Sequence, residues 1–247
     1  MVIRRIREHV AAHNWFAVGI DFLIVVAGII IATQVNNWNQ ARIERSQGAL
    51  YRERLIEDLR ANEVDLLDRR AYYRSGRKRA EAALMALDRP IGAVGASFLV
   101  DAYLASPILT RQPKRFTYDE LVSTGRTGQI GDVALREMVA DYYVQLNAIA
   151  ALFSFVPPYR EHIRARMPHV AQEAIRRQCG GSLAAMMKQC TIRLDPAAIS
   201  RSVKVVRSSP ETEPGLTRLI ADFDLKLNMV EDMIRRERRL RAAIAKA

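Results

Sequence analysis

The sequence predicts an all-α protein in which a single N-terminal transmembrane helix continues into a long helix and is followed by an antiparallel helical bundle. Three observations carry that prediction. Aromatic residues are only 7 % of the 247, with 12 Gly and 9 Pro, so the residues that build sheets and tight turns are scarce beside helix formers such as Ala, Leu, Arg and Glu. One unbroken apolar run stands near the N-terminus. Further along, apolar residues recur at alternating spacings of three and four, the period of a helix with one buried face. With 49 % apolar and 26 % charged residues, a disordered chain or a fibrous repeat is excluded. Three regions follow: a short basic segment (1–15), the membrane span (16–36) and a helical extramembrane domain (37–247).

Phe16 to Val35 is a run of twenty residues with one charge, Asp21. At about 1.5 Å per residue it covers a hydrocarbon core of roughly 30 Å. Trp15 and Trp38 stand where indole rings anchor at the two headgroup layers. Asn36-Asn37-Trp38-Asn39 follows the run where a signal peptide would carry small residues for cleavage, so an uncleaved anchor is expected. The next most apolar stretch, Leu146 to Val156, is too short for a second span. Asp21 lies about 9 Å inside the first indole, which suits either a polar contact to another helix or an acid reaching back to the headgroups. Gly28 and Ala32, four apart on one face, form the small-xxx-small spacing that lets two spans approach closely, and a homo-oligomer through the span is expected.

The run from Gly19 to Gln40, with its acid at Asp21 and its ending Gln34-Val35-Asn36-Asn37-Trp38-Asn39, resembles the opening of an uncharacterised bacterial family of single-span membrane proteins. That family closes its span with a Gln-x-Asn-Asn-Trp-Asn signature. Weaker similarity continues through Leu55 to Leu67, Tyr118 to Gly125 and Leu135 to Leu146, about half the chain in all. The family usually has Glu in place of Asp21 and Leu in place of Thr33. The resemblance implies a membrane-anchored, mostly helical protein of unknown function and assigns no catalytic residue.

After the span, Asn37 to Leu87 lacks Pro and places Leu55, Ile56, Leu59, Leu66, Leu67 and Tyr73 at helical spacings, so a long helix is expected up to Arg89-Pro90. A short helix at Ser97 to Ala105, a basic loop around Arg111 to Arg115 and a second short helix at Tyr118 to Ser123, stopped by Gly125, come next. Between Asp132 and Phe155, residues Leu135, Val139, Tyr142, Leu146, Ile149 and Phe153 line one face and ask for a partner helix. Pro157-Pro158 breaks this helix. Glu161 to Arg177 can resume it, with Pro168 as a kink or early turn, and Ser182 to Lys188 reads as another short helix. Leu216, Leu219, Phe223, Leu227, Val230 and Ile234 then repeat the heptad spacing ahead of the basic stretch Arg235 to Arg241.

The net charge is +11, and 32 of the 38 basic residues are Arg, a balance suited to anionic lipid or nucleic acid. The Arg235 to Arg241 stretch lacks interleaved aromatic residues and has Glu231, Asp232 and Glu237 at pairing distance, so nucleic acid is not the expected partner. No metalloprotease, nucleophile-elbow, P-loop or dinucleotide motif occurs. His162 and His169 lie about 10 Å apart along a helix, too far to share one ion directly, so no metal, cofactor or catalytic residue is assigned. Ser123, Thr124, Gly125 and Arg126 could present hydroxyls, amides and a guanidinium to an anion, or could be a polar helix cap.

The expected function is that of an interaction, scaffold or sensory protein, or an accessory subunit of a membrane complex. It would bind the bilayer and a protein partner. The rival is a membrane-tethered enzyme of unrecognised class. A short basic N-terminus before an uncleaved anchor places residues 37–247 outside the bacterial inner membrane, in the periplasm. There Cys179 and Cys190, the only cysteines, could close a disulfide.

Overall fold

A computed structural model gives the structure of the chain for residues 15–106, 108–180 and 187–247, the side chains of residues 15–18 and 21 excepted. The described residues are all-α, with no strand among them. The helices are α1 (Trp15–Leu87), α2 (Ala96–Leu104), α3 (Phe116–Ser123), α4 (Val133–Phe153), α5 (Pro158–Arg166), α6 (His169–Cys179), α7 (Pro196–Arg207) and α8 (Thr212–Ile244). Two compact units divide the chain, Met1–Tyr51 and Arg52–Ala247.

In the first unit the apolar part of α1 is exposed. None of its most apolar 18-residue window is buried, and Phe22, Leu23, Ile24 and Ile31 all stand open. The stretch is long and apolar enough to cross a bilayer. Thr33, the hydroxyl inside the run, donates to the Ile30 carbonyl at 2.8 Å, which satisfies that donor within the helix. Gly28 and Ala32 are exposed, and a Cβ added at Gly28 meets nothing within 4 Å. Trp38 is exposed as well. The side chains of Trp15 and Asp21 and the basic segment before them lie outside the described residues.

The second unit is built on the rest of α1. Leu55, Leu59, Asn62, Leu66, Arg69, Tyr73, Gly76, Ala80 and Ala83 are all buried, an unbroken alternation of four and three. Against this seam α8 runs antiparallel, as three ion pairs stepping by seven residues record: Glu63 to Arg238 at 2.6 Å, Arg70 to Glu231 at 3.5 Å and Arg77 to Asp224 at 2.6 Å. Gly76 brings the two helices together, because a Cβ there would stand 2.6 Å from the Phe223 ring. Leu135, Val139, Tyr142, Leu146, Ile149 and Phe153 of α4 are buried, the face that the spacing predicts. Phe153 stacks on Tyr73 with centroids 5.5 Å apart, and Tyr73 in turn faces Phe223 at 6.1 Å.

By length and composition a second stretch, Val133–Arg166, also passes for a span. It comprises α4 and α5, and α4 carries Arg136, Glu137 and Asp141 on one side and a core face on the other. It is therefore a core helix of the bundle.

The seam of α1 is half polar for a reason. After α2 the chain returns along α1 as a strap held at successive polar side chains. Asp101 meets Arg79 at 2.8 Å, and the Arg111 carbonyl accepts from Arg69 at 2.8 Å. Lys114 exchanges two 2.7 Å hydrogen bonds with Asn62. The Thr117 N–H donates to Asp58 at 3.1 Å, and Glu120 pairs with Arg54 at 2.6 Å. Because the strap descends as α1 ascends, α4 starts near the lower end of this unit, runs parallel to α1 and lies antiparallel to α8.

One expectation is corrected. The α8 seam runs Phe223, Lys226, Val230, Met233 and Glu237, all buried, while Leu227 is only half-buried. Strict three-four alternation selects Lys226, whose stem packs inward while its ammonium sits 5.7 Å from the Tyr73 ring centre. Of the two alternatives for Pro168 the structure has the turn: Glu161 to Arg177 falls in two helices, since Pro168 lacks an N–H and caps the start of α6. Helix α7 is started by the Asp195 carboxylate accepting from the Ala198 N–H at 3.0 Å, with Pro196 at the first helical position. The short helix expected at Ser182 to Lys188 lies largely outside the described residues.

Candidate functional site

The polar loop after α3 is used by the helix itself. Thr124 donates to the Glu120 carbonyl at 2.7 Å, and Ser123 to the same oxygen at 3.1 Å. Gly125 adopts φ +69°, and the Arg126 N–H bonds back to the Leu121 carbonyl at 2.9 Å. This is a helix C-cap that absorbs both hydroxyls and turns the chain.

Beside it lies a larger concavity. Tyr118 and Leu121 of α3, Ile130 of the turn, and Val133, Val139 and Ala140 of α4 line a groove of about 370 Å³, with Arg136 and Glu137 at its edge. Tyr118 is fixed in that wall by stacking on Tyr143, centroids 4.4 Å apart and nearly parallel. A groove with an apolar floor and one charge of each sign at the rim suits an amphipathic segment better than a small polar substrate.

His162 and His169 are not brought together. His169 is exposed at the start of α6 and lies 3.9 Å from Glu173. His162 faces a cavity of about 120 Å³ lined also by Tyr159, Glu211, Arg218 and Asp222. Its Nε2 is 3.3 Å from both the Ser209 and Thr212 hydroxyls. The Thr212 hydroxyl donates its hydrogen to the Val206 carbonyl at 2.7 Å, so toward the ring it can only accept. Burial and the nearby Arg166 push the imidazole pKa down, Glu211 offsets part of that, and the ring is neutral at pH 7. It ties α5 to the corner between α7 and α8. Among the described residues no group of three His, Cys, Asp or Glu side chains is placed to hold a metal ion.

Cys179 closes α6 and is joined to Cys190 by a disulfide, Cα to Cα 5.5 Å. Two groups in the same unit differ from their reading in sequence, where Glu237 is a partner of the basic stretch and the second group has no reading. Glu237 is completely buried on α8 with neither carboxylate oxygen in a hydrogen bond. Arg160, Arg164 and Arg176, scattered over two helices, form no motif in sequence; their only local signal is the four-residue spacing of the first pair. Comparison with family models, with curated proteins and with solved structures finds no match.

Proposed function

We propose that the chain is a single-pass protein of the bacterial inner membrane, anchored by residues 16–36, whose helical domain stands in the periplasm and recruits a protein partner. The observation that carries this reading is the apolar first part of α1, whose most apolar window has no buried residue, a surface that water does not tolerate at that size. The ending Gln34 to Asn39 supports membership of the single-span family that it resembles. The Cys179–Cys190 bridge supports an oxidising compartment. The groove beside α3 and α4 supports partner binding, since it is an open apolar trough large enough for the side chains of a helix or an extended segment.

The test combines topology and capture. Alkaline phosphatase fused after Ala247 is expected to be active and a cytoplasmic fluorescent reporter dark, and the opposite pattern would reverse the orientation. Capture from mild detergent should then recover a partner that is lost on Val133→Glu. Gly28→Ile should weaken self-association of the span in a membrane reporter assay.

A further inference from the structure

The geometry points to an oxyanion site, with the charge and donors that a phosphate group needs, where Arg160 and Arg164 of α5 and Arg176 of α6 converge around Tyr103 of α2, within electrostatic reach of the buried hydroxyl of Tyr72. Helix α5 places Arg160 and Arg164 one turn apart on one face. The Arg164 guanidinium lies over the Tyr103 ring, 4.1 Å from its centre, and donates to the Tyr103 hydroxyl oxygen. Arg176 reaches the same oxygen at 3.4 Å from the other helix. Arg160 donates to the Ser106 carbonyl at 2.5 Å.

The acids around these arginines are engaged elsewhere or turned away. Asp101 pairs with Arg79, Glu173 with Arg177 at 2.8 Å, and Asp65 with Arg69 and Arg111. Glu161 is exposed on α5. No ion pair of Arg160, Arg164 or Arg176 occurs among the described residues, so three positive groups share a site without a counter-charge. Their mutual repulsion shows in Arg160, where burial first and Arg164 second push the pKa below the usual guanidinium range.

Two hydroxyls complete the donor set. The Tyr103 oxygen receives N–H groups from two guanidiniums, which leaves its own hydrogen to donate. Tyr72 is 4 % exposed, its hydroxyl has no hydrogen-bond partner, and it lies within electrostatic reach of Arg160 and Arg164. A buried hydroxyl without a partner is costly, and an oxyanion accepting from it removes that cost. Planar guanidiniums with free N–H edges match phosphate oxygens in geometry and charge. Arg176 is exposed, so the site opens to solvent on the α6 side. A free phosphate compound and a lipid phosphate present the same chemistry to it.

The test uses the full chain, first in neutral detergent titrated with inorganic phosphate at constant ionic strength. The second arm places it in nanodiscs of phosphatidylcholine with or without phosphatidate, and the unfolding midpoint is read in both. A saturable rise with inorganic phosphate supports the site with a soluble ligand, and a rise only with phosphatidate supports it with a lipid headgroup. Arg176→Gln should weaken the response about tenfold, the loss of one charge-assisted hydrogen bond, while Arg239→Gln, an exposed arginine on α8, should not. Tyr72→Phe should weaken it too while leaving the ligand-free protein at least as stable, a pairing that a purely structural tyrosine would not produce. No rise in either arm, or equal loss in Arg176→Gln and Arg239→Gln, would overturn the proposal. The inorganic-phosphate arm, run in detergent, does not depend on how the chain is anchored, so its outcome is separable from the membrane reading.

Discussion

Asn62, at the middle of the α1 seam, holds both backbone groups of Lys114: its side-chain amide donates to the Lys114 carbonyl and its oxygen accepts the Lys114 N–H, each at 2.7 Å. Asn62 is buried, and the amide matches the two polar groups of one peptide in the strap. A polar residue thus holds a core position because the neighbour packed there is backbone.

Asn62→Leu is therefore expected to destabilise the protein although it makes the seam more apolar. Two strap groups lose their partners, and a buried unsatisfied group costs about 1 to 3 kcal/mol. Chemical denaturation of the full chain should show a loss of about 2 kcal/mol or more. A neutral or stabilising effect would mean that water replaces the amide.

Gly76→Ala sets two effects against each other. Helix propensity favours Ala by about 1 kcal/mol, whereas a Cβ placed 2.6 Å from the Phe223 ring forces that ring to move, with overpacking costs of about 1 to 3 kcal/mol. Net destabilisation is expected. Adding Phe223→Leu should make the Ala better tolerated than in the original background, which a double-mutant cycle measures.

Leu146→Ala and Leu227→Ala separate the seam from its flank. Leu146 is buried in the core face of α4, and its truncation should cost about 2 to 5 kcal/mol. Leu227 is half-buried, so Leu227→Ala should cost clearly less. Equal effects would return Leu227 to the seam in place of Lys226.

The pH dependence of stability should carry the mark of Glu237. Burial raises its pKa to about 7, a shift that Arg241, with Nε at 3.5 Å, only partly opposes. The folded state therefore holds the proton more tightly than the unfolded one. Its contribution is fully present below the usual glutamate value of 4.5 and is lost as pH rises through about 7. His162, with a lowered pKa, acts in the opposite sense, losing stability as pH falls below its usual 6.5. The comparison must therefore be with Glu237→Gln: relative to that variant, the natural protein should lose stability between pH 5 and 8. Parallel profiles would show that Glu237 keeps its charge when folded.

Local pattern determined much of this protein. Helical period is a property of neighbouring residues on one chain, so the apolar stretch of α1, the core face of α4 and the breaks at Pro90 and Pro157 could be read without a partner in view. The outcome for α8 marks the limit: apolarity alone favours Leu227, but the phase of the helix against Tyr73 and Phe223 puts Lys226 inside. Only tertiary structure decided the polar seam, because Asn62 and Arg69 are satisfied by a strap that begins forty or more residues later and whose path no local signal records. The same holds for Arg160, Arg164 and Arg176. In sequence they are three among 32 arginines, and they become a site only where α2, α5 and α6 pack, since electrostatic convergence depends on distance through space and not on spacing along the chain.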